Sequence, residues 1–256
     1  MMLRTPRFLL NELVAFVLIG ASPAMAIADD EPTFDIAEIF FELNHTDGDL
    51  GLHGFIDGDA WKRLKITGPG KQNRSLLNVA VQGRLKQQGL TELFFESAEP
   101  GFDELSPEQF LERFPEGTYE VGGVTLDGEK LESEVEISHV MPAPAGNIRI
   151  SGVAAAENCD ADPLPAVSPP IVISWDPVTT SHPEIGADGD VEIAEYELVL
   201  EFEDGGLEMS VRLPPSVTTM EIPSTFISLA DSFKFEILAR DVNGNRTAVE
   251  SCFEVD

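Results

Sequence analysis

Two tandem antiparallel β-sandwiches, an all-β architecture, are predicted by three observations. Runs of β-branched, aromatic and alternating residues recur about every ten positions, with Gly, Asp and Pro between them. An uncharged stretch with two prolines, Met141-Pro142-Ala143-Pro144-Ala145-Gly146, separates two units of similar size and suits a linker. At 43% hydrophobic and 8% aromatic residues, the 256-residue chain can bury two cores, which argues against simple acidic disorder.

The chain begins with a segment to be set aside. Arg4 and Arg7 precede the apolar run Leu13 to Gly20, which leads to Ala24-Met25-Ala26, the three parts of a secretory signal peptide. The run is shorter than the ~20 residues of a membrane span. Residues 1–26 are therefore expected to be cleaved near Ala26, giving a secreted product, periplasmic or extracellular, with no transmembrane segment.

The first domain is expected over 27–145. Its strands are read near Ile36 to Asn44, Leu50 to Ile56, Trp61 to Thr67, Leu76 to Gly83, Thr91 to Ser97, Gly117 to Thr125 and Leu131 to Val140. Ser106-Pro107-Glu108-Gln109 interrupts them as a capping box with Pro at the first helical position, and Leu105 can staple against Phe110. Phe114-Pro115 ends that short crossover helix. The rhythm alone gives an immunoglobulin-like sandwich.

The second domain is expected over 146–256. From Glu192 to Glu203, Ala194, Tyr196, Leu198, Leu200 and Phe202 fall on one face and Glu195, Glu197, Glu201 and Glu203 on the other, which predicts a half-buried strand. Phe233, Phe235, Ile237 and Ala239 repeat the pattern before the turn Asn243-Gly244-Asn245. Cys159 and Cys252 are the only cysteines, and in an exported protein such a pair reads as a disulfide.

These elements carry a resemblance. Ile173-Ser174-Trp175-Asp176-Pro177-Val178, then Tyr196-Glu197-Leu198, Thr218 to Pro223, and Phe233 to Asp241 with Asn243-Gly244-Asn245 resemble, in order and spacing, a fibronectin type III domain. The resemblance covers about residues 146–256. It implies a seven-stranded sandwich with Trp175 in its core. Phe233 stands where that family usually has a tyrosine whose hydroxyl ties down a corner, and the cysteine pair is also atypical of it.

Charge narrows the function. With 46 acids against 16 bases the net charge is -30, so phosphates repel the chain and nucleic-acid binding is excluded as its role. No Gly-x-Ser-x-Gly elbow, His-Glu-x-x-His helix, phosphate loop or dinucleotide fingerprint occurs.

Three groups of residues could bind something. Carboxylates and an asparagine cluster from Glu42 to Asp49, and Asp57-Gly58-Asp59 follows. Asn44, Asp47 and Asp49 have the hard oxygen donors that calcium requires, although Asp-Gly steps also simply make hairpin turns. No other cofactor is indicated. Residues 60–91 contain Lys62, Arg63, Lys65, Lys71, Arg74, Arg84 and Lys86 and no acid. Strict alternation puts Arg63 and Lys65 on a solvent face with Trp61, so Trp61, Arg63, Lys65, Arg84 and Lys86 form a candidate surface for an anionic protein or glycan partner. A lysine-protected edge strand is the plainer reading of the same residues. His45 and His53 flank one hairpin and could approach a transition metal together, and no site is assigned to them.

A secreted, noncatalytic binding module is the expected function. The alternative is a secreted hydrolase or hydrolase accessory protein with a metal-dependent site in the first domain.

Overall fold

The structure, a computed structural model, describes residues 32–70, 74–202 and 206–256. The expected signal peptide, Lys71 and Glu203 lie outside the described residues. No helix among the described residues is long and apolar enough to cross a membrane.

Among its described residues the first half contains β1 (Ile36–Asn44), β2 (Asp49–Thr67), β3 (Ser75–Ala80), β4 (Leu90–Glu96), α1 (Pro107–Leu111), β5 (Gly117–Thr125) and β6 (Lys130–Ile137). A 3-10 turn, Gly83–Gln87, links β3 to β4. The expected capping of α1 is present: Ser106 Oγ accepts from the Gln109 N–H at 3.4 Å, and Pro107 opens the helix. Phe110 and Leu111 turn into the core beside Leu105.

Strand β2 is 19 residues long where two strands were expected. Asp57-Gly58-Asp59 makes no turn. Gly58 is buried, and a Cβ there would sit 3.1 Å from the Phe34 ring, so the glycine permits a close approach within a continuous strand. Register shifts interrupt the pairing on either side of Trp61 instead. One consequence corrects the expected surface. The irregularity turns Trp61 inward, fully buried, while Arg63 and Lys65 stay exposed on the opposite face.

The first part of β2 is flanked by β1 and β4, and the second part by β3 and β5, with β6 beyond β5. Ile39, Phe41, Leu52, Ile56, Trp61, Ile66, Val121 and Val135 draw both parts onto one core. Tyr119, near the start of β5, donates its hydroxyl to the Pro115 carbonyl at 2.9 Å and ties that corner.

The second half contains the two-residue strands β7 (Arg149–Ile150), β8 (Val153–Ala154) and β9 (Ala166–Val167), then β10 (Val172–Ser174), β11 (Ile193–Phe202), β12 (Glu208–Leu213), β13 (Thr219–Glu221), α2 (Ser224–Ile227), β14 (Ser232–Asp241) and β15 (Arg246–Val255). The sheet β13-β10-β7-β8 and the ladder β12-β11-β14-β15 supply one core, with Ile150 and Ile173 from the former and Leu198, Leu200, Phe235 and Ile237 from the latter. Trp175 is buried against the Tyr196 ring, centroids 5.4 Å apart, and the Tyr196 hydroxyl accepts from the Val178 N–H at 2.8 Å. Phe233 stacks on Phe253 at 5.5 Å. A register shift between Ile193 and Glu195 breaks the expected alternation: Ile193 is buried and Ala194 exposed. Cys159, in the loop after β8, is disulfide-bonded to Cys252 of β15.

The two cores are joined by a pairing that alternation could not predict. β1 and β15 run parallel, Glu42 opposite Arg246 and Asn44 opposite Ala248, so one 11-stranded sheet passes through both halves. β9 and β15 also run parallel, which departs from the purely antiparallel expectation. Strands so far apart in sequence are free of the hairpin geometry that forces antiparallel pairing.

The proline segment is not a free linker. Met141 is fully buried, Ala143 N–H donates to Thr180 O at 2.9 Å, and Thr247 Oγ1 donates to Pro142 O at 2.7 Å. Asn245, from the expected turn, donates through Nδ2 to the carbonyls of Ser138 and Val140 at 2.8 and 2.9 Å and accepts through Oδ1 from Phe41 N–H at 2.9 Å. One buried amide thereby fastens the end of the first half to β1 and β15.

Candidate functional site

Alternate residues on the outer face of the β11-β14-β15-β1 region are charged, and there the bases are engaged. Lys234 Nζ meets carboxylates of Glu250 at 2.7 Å, Glu236 at 3.2 Å and Glu201 at 3.5 Å. Burial works against its charge, but the hydrogen bond to Glu250 and the charges of Glu236 and Glu250 outweigh it and push the ammonium pKa up. Arg240 binds Glu38 at 2.9 Å and Glu195 at 3.1 Å, and Arg246 lies 3.6 Å from Glu42 and 4.4 Å above the Phe40 ring. The Glu38 and Glu42 pairs cross between the halves.

The bases of the 60–91 run are placed differently. Arg63 and Lys65 project outward from β2; Lys65 is opposite Asn78 of β3 and Gly122 of β5. Arg84 and Lys86 are exposed on the 3-10 turn, with Leu85 between them 54% exposed. Among the described residues none of these four bases forms an ion pair. Lys62 donates to the Leu126 carbonyl at 3.0 Å. On one side Lys65 borders an open hollow of about 640 Å³ shared with Thr67, Glu120, Glu132 and Glu134. Trp61, from the same expected set, belongs to the core.

The acidic turn uses its own oxygens. Asn44 Oδ1 accepts from the N–H groups of Thr46 and Asp47, both at 3.1 Å, and its Nδ2 donates to Asp47 Oδ2 at 3.2 Å. Asp49 opens β2 in a different setting. Burial, then the negative charges of Glu99, Asp47, Glu250 and Glu42, push its carboxyl up to about 6. Glu42 is also raised by burial, against the pull of His53 and Arg246.

His45 and His53 do not meet. His45 Nδ1 lies 3.2 Å from His182 Nε2, a contact between the halves. His182 Nδ1 accepts from the N–H groups of Glu184 and Ile185 at 3.2 and 3.0 Å, which leaves the proton on Nε2 to be donated to His45. Burial and then the neighbouring His45 lower the His182 pKa. His53 instead faces Glu99, with Nε2 2.9 Å from Oε1. The imidazole is buried between Phe40 and Phe94 at centroid distances of 5.5 and 5.9 Å. Glu96 lies directly opposite His53 in the β2–β4 register, and the three side chains converge. Sequence reasoning missed this group, because His53 and Glu96 become neighbours only through strand pairing.

An all-β chain of sandwich-like sheets, with two cores and one continuous sheet, is the class these features define. No family model matches the chain, and no curated protein matches it. Solved structures similar to it include a segment of two fibronectin type III domains from chicken tenascin, 12% identical over 86% of this chain and 98% of that one, with a TM-score of 0.30. The FN1–FN3 domains of chicken CNTN1 are 10% identical over 88% of this chain and 65% of that one, with a TM-score of 0.36. A tetra-tandem repeat from the extending region of a large adhesion protein is 13% identical over 86% of this chain and 50% of that one, with a TM-score of 0.27.

Proposed function

We propose that the chain is a secreted, noncatalytic binding module whose first half presents Arg63, Lys65, Arg84 and Lys86 to an acidic segment of a protein partner. One observation carries this reading. On a chain of net charge -30, these four bases are exposed without an ion pair among the described residues, whereas the bases at the junction are engaged by carboxylates. A local positive surface on a negative body steers an anionic partner to one place and repels it elsewhere. Leu85 adds an exposed apolar contact beside Arg84 and Lys86. The joined Cys159–Cys252 pair supports export, since such bonds persist in oxidising compartments.

An oligoglutamate peptide, titrated at low salt, tests the reading. The native chain should bind it with an affinity that falls as salt rises. Arg63→Glu with Lys65→Glu, and separately Arg84→Glu with Lys86→Glu, should each weaken binding while the melting temperature stays put. Unchanged binding in both variants overturns the proposal. Binding of heparin without oligoglutamate would move the partner to an acidic glycan.

A further inference from the structure

The outer face of β1, β2 and β4 holds a second arrangement, independent of the basic surface. His53 and Glu96 are register partners across β2 and β4, and Glu99 follows three residues after Glu96 on the loop that leaves β4. That loop is tied back to β2. Ser97 N–H donates to Leu52 O at 2.9 Å, Leu52 N–H donates to Ser97 Oγ at 2.9 Å, and Asp49 bridges to Gly101. The fastening folds Glu99 over Gly51, where a Cβ would come within 2.2 Å of Glu99 Oε1. Only glycine at position 51 lets this carboxylate lie down on the strand beside the imidazole.

The three donor atoms, one imidazole nitrogen and one oxygen from each carboxylate, all lie within 4.8 Å of one another. Glu42, on the same face, is matched by Arg246, whereas Glu99 is paired only with the His53 imidazole and Glu96 forms no ion pair among the described residues. His53 is held in place by packing rather than being a mobile surface ring. A buried nitrogen donor with two flanking carboxylates suits a borderline divalent ion, while calcium and magnesium prefer oxygen donors alone.

We infer that His53, Glu96 and Glu99 form a site for one divalent first-row transition ion, for which zinc is the probe. Three protein donors leave a coordination position open to water or to a donor from a bound partner. Zinc chloride titrated calorimetrically into the full chain should saturate at one ion per chain, with calcium and magnesium giving no matching heat. Glu96→Gln and Glu99→Gln conserve shape at exposed positions and should each weaken zinc binding by roughly tenfold or more. Gly51→Ala, which displaces the Glu99 carboxylate, should do the same. His45→Asn, at the other histidine pair, should leave the affinity unchanged. A His53 variant that fails to fold does not affect the test, because both glutamine variants read the same site. No saturable zinc uptake by the native chain overturns the inference. So does uptake that survives both glutamine variants, or uptake abolished by His45→Asn.

Discussion

In the second half Arg212, Lys234, Arg240 and Arg246 each reach a carboxylate, whereas Arg63, Lys65, Arg84 and Lys86 of the first half project from its surface with no ion pair among the described residues. Acids are abundant in both halves, so composition does not explain the difference. The residues across the strand do. β14 and β15 are interior strands flanked by Glu-bearing β11 and β1, and each long base there has a carboxylate one strand away. Arg63 and Lys65 have Ala80, Asn78, Val124 and Gly122 as cross-strand neighbours, none of which is acidic. Pairing therefore tells structural bases from available ones where a count of charges cannot.

The largest expected effect is on the second half, the one closed by a disulfide. Replacing Cys159 and Cys252 together by alanine should cost on the order of 4 kcal/mol by chain entropy, for a sequence separation of 93, measured as a lower urea midpoint. An unchanged midpoint would show that β15 is held by its sheet contacts alone.

Next comes the junction. Arg246→Ala removes the partner of Glu42 and the cation above Phe40, both largely buried, and should cost about 2 kcal/mol in the same urea titration. A loss within the range of an exposed base would dissolve the contrast between the halves.

Asp49 gives a smaller effect with a pH signature. Its folded pKa of about 6 lies above the ordinary 3.8, so the folded state holds the proton more tightly than the unfolded state does. Stability from this group is thus full below the lower value, declines as pH rises from 3.8 to about 6, and is level above that. Asp49→Asn should raise stability at pH 7 to 8 by on the order of 1 kcal/mol, allowing for solvent screening of a partly exposed group, and the gain should vanish below about pH 4. A gain equal at both ends of the range would assign the effect to packing.

The smallest effect belongs to the free bases. Arg63→Ala should change stability by less than about 0.5 kcal/mol, in contrast with Arg246→Ala. A larger loss would mean that Arg63 is already at work in the fold.

Much of this architecture was legible in the residues, and the failures have a common cause. β1 and β5 run over the ranges that alternation and turn residues marked, and α1 starts where Ser106 and Pro107 place it. The register shifts at Trp61 and Ile193 were not legible, since a strand irregularity depends on what the neighbouring strand demands and leaves no fixed residue signature. Asp57-Gly58-Asp59 carried a turn signal, and the packing of Phe34 on Gly58 overrode it. Of the candidate sites, the exposed bases could be read from charge spacing, while the convergence of His53 with Glu96 and Glu99 required the β2–β4 register.

The sequence alone determined what depends on near neighbours: the strand periodicity, the capped helix, the acid excess and the presence of two cysteines able to pair. Tertiary structure decided what depends on residues brought together from a distance. β1 meets β15 across nearly the whole chain, Asn245 holds the carbonyls of Ser138 and Val140 just before the segment where a linker was expected, and Trp61 turns inward. Local propensity is set within a few residues by backbone sterics and side-chain period, whereas pairing, register and burial are set by the free energy of the assembled sheet and core.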